Sequence, residues 1–286
     1  MTVNGIGGKT RLAGVMGWPV SHTKSPAMQG AALAAAGLDV AYVPLPVAPE
    51  RVAEAVRGLR ALGFVGCNVT VPHKIAVMEA LDRLDPLAEK VGAVNTIKVE
   101  EDGTLVGYNT DAQGAVTGLA EVAPASVFAR EALIVGTGGA GRGVAFGALE
   151  AGARGVALLN RTAAKAQELA DSLRAAYPDR SVRVLDPPAV KASDLAEIGA
   201  VYQTTSLGMK PESDPLPLDA ALLPEGAAVL EAVYAPLETP FLAACRARGL
   251  IGQDGLAMLV GQGALSFHIW FGREADRDAM RRAIAG

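Results

Sequence analysis

Residues 136–143 read Gly-Thr-Gly-Gly-Ala-Gly-Arg-Gly and directly follow the apolar run Leu133-Ile134-Val135. Gly136, Gly138 and Gly141 fit the spacing GxGxxG, with Gly139 and Ala140 between them. For a bound dinucleotide each glycine has a use. The first permits a tight turn, the second lets the backbone approach a pyrophosphate, and the third lets the next helix pack closely on the strand. The helix N-terminus then faces the phosphates with unpaired amides. A purely structural turn could use the same glycines, but the strand–turn–helix setting favours a cofactor loop. The following strand ends at Leu159, and Asn160-Arg161-Thr162 comes next, with Lys165 one helical turn on. A site for NAD carries an acid at this place for the ribose hydroxyls. This chain offers Asn160, Arg161, Thr162 and Lys165 instead, which suit a 2′-phosphate that a carboxylate would repel, so the expected cofactor is NADP. The competing reading is a solvated arginine at a helix start. Arg142 is a further candidate for phosphate contact.

Three other segments are polar where a scaffold has no need of polarity. Ser21-His22-Thr23-Lys24-Ser25-Pro26 follows the first predicted strand, and Asn68-Val69-Thr70-Val71-Pro72-His73-Lys74 ends the third. Gly92-Ala93-Val94-Asn95-Thr96 and Asn109-Thr110-Asp111 flank a hairpin. Ligands of open α/β sheets lie outside the carboxyl ends of strands. Hydroxyls, amides, one lysine and one aspartate gathered there suit a small polyhydroxylated acid. Each residue also has a local alternative: Thr23, Ser25 or Asp111 as a helix cap, Asn95 and Asn109 as turn residues, Lys74 as a solvated helix residue. The common placement at strand ends favours a site. His22 and His73 are expected in a loop or the core rather than in catalysis.

The elements that must hold these residues follow from periodicity. Strands are predicted over 12–16, 40–45 and 64–71, with helices over 26–36 and 49–62 between them, which implies βαβ units. A hairpin covers 96–106, with its turn at 101–103. A helix over 110–122 opens a second series: strands 132–135, 155–159, 182–185, 200–204 and 228–232, with helices over 140–151 and 162–176. The tail reads as helices over 239–248, 256–270 and 274–284, with no strand of its own, and is expected to pack back on the first part. The fold class is therefore α/β with two domains. Residues 1–111 form a substrate domain, 112–238 an inserted Rossmann domain for NADP, and 239–286 return to complete the substrate domain.

Composition sets the outer limits. The chain has 286 residues, half of them hydrophobic, so it can build a sizeable core. A net charge of -4 argues against nucleic acid as the main partner. Two cysteines without a CxxC pair and three histidines leave little material for a metal site, and none is expected. Cys67 and Cys245 read as buried thiols in a reducing compartment. No long apolar run or signal core is seen, including at residues 1–9, so the expectation is a cytoplasmic protein with no membrane partner. A homodimer is left open.

The motifs together resemble the shikimate dehydrogenase family over nearly the whole chain. They run Gly-Trp-Pro-Val-Ser-His-Thr-Lys-Ser-Pro at 17–26, Asn-Val-Thr-Val-Pro-His-Lys at 68–74, Gly-Ala-Val-Asn-Thr at 92–96, Asn-Thr-Asp at 109–111 and the glycine loop. Asn-Arg-Thr at 160–162, Thr-Ser-Leu-Gly-Met at 205–209, Tyr-Ala-Pro-Leu-Glu-Thr-Pro at 234–240 and Gly-Leu-Ala-Met-Leu-Val-Gly-Gln at 255–262 complete the set. The resemblance implies reversible NADPH-dependent reduction of 3-dehydroshikimate to shikimate, on the route to chorismate and the aromatic amino acids. It implies Lys74 and Asp111 as the catalytic pair, Lys74 as a charged proton donor and Asp111 orienting it and a substrate hydroxyl. It implies Thr23 and Ser25, helped by Tyr234, at the substrate carboxylate. Asn68, Thr70, Asn95 and Gln262 fall at the ring hydroxyls, Gly255 and Met258 near the nicotinamide, and Thr205 among the cofactor residues. Four places depart from the common pattern: Thr23 for Ser, Gln29-Gly30 for His-Asn, Gln203 for Asn and Glu231 for Asp. Thr23 keeps a quinate/shikimate or aminoshikimate dehydrogenase as an alternative. A non-catalytic NADP-binding sensor is the alternative of another class.

Overall fold

The computed structural model describes residues 6–210 and 216–285; of the N-terminal stretch 1–9, residues 1–5 lie outside this description. The chain divides into two compact units, Met1–Thr110 with Gln262–Gly286, and Asp111–Gly261.

The first unit starts with β1 (Arg11–Gly17), α1 (Ser25–Ala35), β2 (Val40–Pro46), α2 (Val52–Ala61) and β3 (Phe64–Val69). A 3-10 turn over Ala76–Ala80 leads to β4 (Arg83–Leu84), α3 (Pro86–Val91), β5 (Thr96–Val99) and β6 (Leu105–Tyr108). The sheet order is β2-β1-β3-β5-β6-β4. β1 pairs in parallel with β2 and β3, whereas β5 runs antiparallel to both β3 and β6, so the sheet is mixed. All six residues of β3 are buried, as a strand covered on both faces requires. β3 stops two residues earlier than predicted. The ladder ends with the bond from the Thr70 amide to the Met16 carbonyl, and Pro72 has no amide to extend it. The one-and-a-half turns of α3 were too short for periodicity to reveal. Asp85 caps them through the Leu87 amide, with Pro86 first in the helix.

α4 (Thr110–Ala120) carries the chain into the second unit. There follow α5 (Ala125–Phe128), β7 (Glu131–Val135), α6 (Gly139–Glu150), β8 (Gly155–Leu159), α7 (Ala163–Ala176), β9 (Ser181–Leu185) and α8 (Ala192–Leu195). The unit continues with β10 (Ile198–Gln203), β11 (Ala228–Glu231), α9 (Pro240–Ala247) and β12 (Ile251–Gln253). Its sheet, β12-β11-β10-β7-β8-β9, is parallel throughout. Counted from β7, this is the doubly wound order 3-2-1-4-5-6 of dinucleotide-binding sheets, with the order reversing between β8 and β10 around β7. Leu133, Val135, Leu159, Val201 and Val229 fill one core, closed by Phe241 and Cys245 of α9.

α10 (Gly255–Phe271) returns the chain, which changes unit at Gly261/Gln262, and α11 (Arg277–Ile284) closes the first unit against α1. This corrects two expectations. The tail does contain a strand, β12, and residues 239–261 belong to the second unit, so the return comes later than position 239. A three-residue edge strand is too short for an alternating pattern, and α9 covers its own sheet by burying Phe241, Leu242 and Cys245. Among the described residues no helix is long and apolar enough to cross a membrane.

Candidate functional site

The polar residues of the first unit collect where β1, β3 and the hairpin end. The Asn68 side chain is the hub. Its Nδ2 donates to Ser266 Oγ at 2.9 Å, Thr96 Oγ1 at 3.1 Å and the Asn95 carbonyl at 3.3 Å, while its Oδ1 accepts from the Tyr42 hydroxyl at 2.7 Å. Burial holds the Tyr42 phenol well above its ordinary pKa. Asn95 Oδ1 accepts from the Thr110 amide at 2.7 Å, and its Nδ2 donates to Thr110 Oγ1 at 3.0 Å. Asn95 therefore anchors the start of α4, the helix whose second residue is Asp111. Ser266 bonds back to the Gln262 carbonyl at 2.9 Å, one turn earlier in α10.

Lys74 follows β3 in a half-buried turn. Its carbonyl accepts from the Val94 amide at 2.8 Å, which joins the 68–74 and 92–96 segments. His73 is buried, its Nε2 2.7 Å from the Val47 carbonyl, a structural placement as expected. The local alternatives for Thr23 and Ser25 resolve in part. The position before α1 is Lys24, without a side-chain cap, and Ser25 lies inside the helix. Thr23 Oγ1 accepts the Ser25 amide at 3.2 Å, a local turn contact. Asn109 Nδ2 donates to the Ala93 carbonyl at 2.9 Å, a bond between the two segments that flank the hairpin rather than within a local turn.

Tyr42 and Ser266 lie outside the polar segments of the sequence, whereas Thr96 and Thr110 lie within them. The signal was present for Ser266, a hydroxyl in an otherwise apolar helix face four residues from Gln262. Buried polar groups must find partners, so an isolated one in a core helix points to others. Removing the Tyr42 hydroxyl leaves Asn68 Oδ1 without that donor. Tyr42→Phe is expected to lower unfolding free energy by about 1–3 kcal/mol in urea titration, the usual cost of a buried unsatisfied acceptor; an unchanged midpoint would show that the bond carries no load.

In the second unit the glycine loop runs from β7 into α6. Gly136 has φ +95° and donates to the Leu159 carbonyl at 2.8 Å. A Cβ on Gly141 would lie 1.9 Å from the Gly136 carbonyl oxygen, so only glycine lets α6 start this close to the strand. Asn160 links the loop to β8: its Oδ1 accepts the Thr137 amide at 3.3 Å and its Nδ2 donates to the Thr162 carbonyl at 2.9 Å. From β10, Thr204 Oγ1 reaches the carbonyls of Val135 and Gly136 at 2.9 and 3.0 Å.

A cavity of about 730 Å³ opens at these strand ends, lined by Gly136, Asn160, Arg161, Thr205 and, from the end of β9, Leu185 and Pro187. Its surface is mostly apolar, with the glycine loop at one wall and an exposed guanidinium at another. That combination fits a nucleotide base and ribose with a phosphate beside Arg161. The carboxylate in the lining, Asp186, follows β9 rather than β8. Thr162 and Lys165 are exposed at the start of α7, and Gly138 and Gly139 are exposed at the start of α6. Arg142 lies over the Phe146 ring at 5.4 Å and donates to Ser172 at 3.5 Å. Tyr234, Gly255 and Met258 lie where β11 and α10 meet, with the Gly255 amide donating to the Val233 carbonyl at 3.2 Å.

The residues named from sequence therefore fall into two sets. Thr23, Ser25, Asn68, Thr70, Lys74, Asn95 and Gln262 belong to the first unit, while Asp111, Tyr234 and the cofactor residues belong to the second. Both cysteines are buried free thiols, and burial pushes each up to about 12.

Residues 15–97 match the model of the shikimate dehydrogenase substrate binding domain, and residues 255–285 that of the shikimate 5′-dehydrogenase C-terminal domain. A shikimate dehydrogenase (NADP(+)) of Symbiobacterium thermophilum is 45% identical over 278 residues, covering 96% of this chain and 94% of the relative. Shikimate 5-dehydrogenase from Thermus thermophilus, solved with NADP(H) and shikimate, superposes with a TM-score of 0.82 at 37% identity, covering 96% and 98% of the two chains. Quinate dehydrogenase from Corynebacterium glutamicum, solved with NAD, has a TM-score of 0.86 at 29% identity, covering 96% and 98%. With 45% identity over nearly its full length and the dinucleotide fold and buried polar cluster in place, the chain belongs to the shikimate dehydrogenase family.

Proposed function

We propose that the chain is an NADP-dependent shikimate dehydrogenase, reducing 3-dehydroshikimate to shikimate and running the reaction in reverse. The observation that carries this reading is the first unit's cluster of amide and hydroxyl groups at the strand ends that also deliver Lys74. Such a cluster offers fixed hydroxyl and amide groups to a polyhydroxylated ring, and an analogue lacking a hydroxyl forfeits the hydrogen bond made there. Thr23 and Ser25 take the substrate carboxylate, with Tyr234. Asn68, Thr70 and Gln262 take ring hydroxyls, and Asn95 contributes by fixing Thr110.

When bound, the cofactor supplies the hydride that reduces the ring ketone. Lys74, as an ammonium, donates the proton to the carbonyl oxygen as it becomes an alkoxide, so ketone, hydride and proton balance to the alcohol. Asp111 accepts a hydrogen bond from a substrate hydroxyl and orients the ring. Gly136, Gly138, Gly139, Ala140 and Gly141 cradle the pyrophosphate, and Arg161, with Asn160, Thr162 and Lys165, receives the 2′-phosphate. Thr205, Gly255 and Met258 complete the cofactor contacts. The reading takes the enzyme as cytoplasmic, which suits two free thiols.

The test is absorbance at the NADPH band with shikimate or quinate, each offered with NADP and with NAD. Turnover is expected with shikimate and NADP, with quinate slower. The quinate alternative rests on Thr23, whose methyl group reshapes the carboxylate end; faster turnover of quinate would favour it. Cofactor binding without turnover of either acid would favour a sensor.

A further inference from the structure

Two departures from the family pattern, noticed separately in the sequence, are partners in the fold. Gln203 ends β10 and Glu231 ends β11, and they stand opposite each other in the parallel pairing. Both side chains are buried, Glu231 completely. Gln203 Nε2 donates to Glu231 Oε1 at 2.7 Å. The same oxygen accepts the Val233 amide at 3.4 Å, and Oε2 accepts the Thr239 hydroxyl at 2.9 Å.

Two branches leave this carboxylate. One passes through Thr239, which caps α9 by accepting the Leu242 amide at 3.1 Å. The other passes through Gln203 into the loop after β10. Gln203 Oε1 accepts the Thr205 amide, and its Nε2 also donates to the Leu207 carbonyl at 3.1 Å. Thr205 then accepts the Leu207 amide at 3.1 Å. Thr205, Ser206 and Leu207 form one wall of the 730 Å³ cavity, facing the glycine loop. A Cβ on Gly136 would come within 2.6 Å of Thr205 Cγ2, so the loop and the glycine turn are in close contact.

A carboxylate wholly removed from water is costly to keep in a fold, and burial raises its pKa to about 7 against three hydrogen bonds that lower it. A sheet end needs no such group for stability alone. We propose that Glu231 is a positioning residue for the dinucleotide: through Gln203 it holds the 204–207 loop in the shape that walls the cofactor cavity. Neither residue touches the cofactor in this scheme. The inference rests on the reading that NADP(H) occupies this cavity.

The test is NADPH fluorescence titration of the full chain, with thermal melting in parallel, for Gln203→Leu, Glu231→Leu, Glu231→Gln and Thr239→Val. Gln203→Leu cuts the branch to the cavity and is expected to raise the NADPH Kd about tenfold, the scale of one lost buried hydrogen bond. Glu231→Leu removes the acceptor that holds Gln203 and is expected to raise the NADPH Kd as Gln203→Leu does, whereas Glu231→Gln, which keeps an amide oxygen for Gln203, is expected to bind within about threefold of wild type; wild-type affinity in Glu231→Leu overturns the proposal. Thr239→Val cuts only the helix-cap branch, so it should melt earlier yet bind NADPH as wild type does. In steady state, Gln203→Leu should raise KM for NADPH and leave KM for shikimate unchanged. Wild-type affinity in Gln203→Leu overturns the proposal, as does a loss in Thr239→Val equal to that in Gln203→Leu, which would mean general loosening. A wild-type chain that does not bind NADPH overturns the cofactor reading itself, and this inference with it.

Discussion

Replacing Lys74 with methionine is expected to lower kcat by about 10²–10⁴-fold, the range that a positioned proton donor contributes, while shikimate and NADPH still bind. Methionine keeps the length and apolar stem of lysine and removes its charge and donors. The backbone link from position 74 to the 92–96 segment is kept whatever the side chain, because the Lys74 carbonyl accepts the Val94 amide. Steady-state kinetics with both KM values, with thermal melting in parallel, separates a chemical loss from a loss of binding or of fold. Turnover near the wild-type rate with substrate bound would remove Lys74 from the mechanism.

The second large effect is on cofactor choice. Arg161→Ala is expected to weaken NADPH binding by about 10- to 100-fold and to leave NADH binding nearly unchanged. A charge-assisted hydrogen bond is worth about 1.5–3 kcal/mol, and the 2′-phosphate that receives it is absent from NADH. Arg161 is exposed and lines the cavity beside Asn160, so truncation removes a ligand contact without opening the core. Asn160, in contrast, bonds both the glycine loop and the Thr162 carbonyl, and its loss would disturb the binding of both cofactors. Parallel fluorescence titrations with NADPH and NADH decide the matter: equal weakening of both would place Arg161 at a phosphate that the two cofactors share.

Much of this was legible before any coordinates. The glycine loop announced itself because steric rules leave few residues for a turn of that shape, and the space at Gly141 bears this out. The alternation of strands and helices was legible because burial imposes a period on sequence. The legible features are local or repeated. What escaped was short: α3 and β12 span too few residues to set up a pattern.

By itself the sequence determined the fold class, the cofactor loop and its unusual acid-free β8 end, and the set of polar residues at strand ends. These follow from residue type and near-neighbour spacing, which the chain carries in one dimension. Only the tertiary structure decided which polar groups are partners. Asn68 is bonded to Tyr42 and Ser266, which lie 26 and 198 residues away, and Gln203 to Glu231 across 28. A hydrogen bond depends on distances of about 3 Å, and separation along the chain says nothing of such distances until the strands are laid in order. The same ordering moved the return to the first unit from position 239 to 262, because β12 finds its partner in β11.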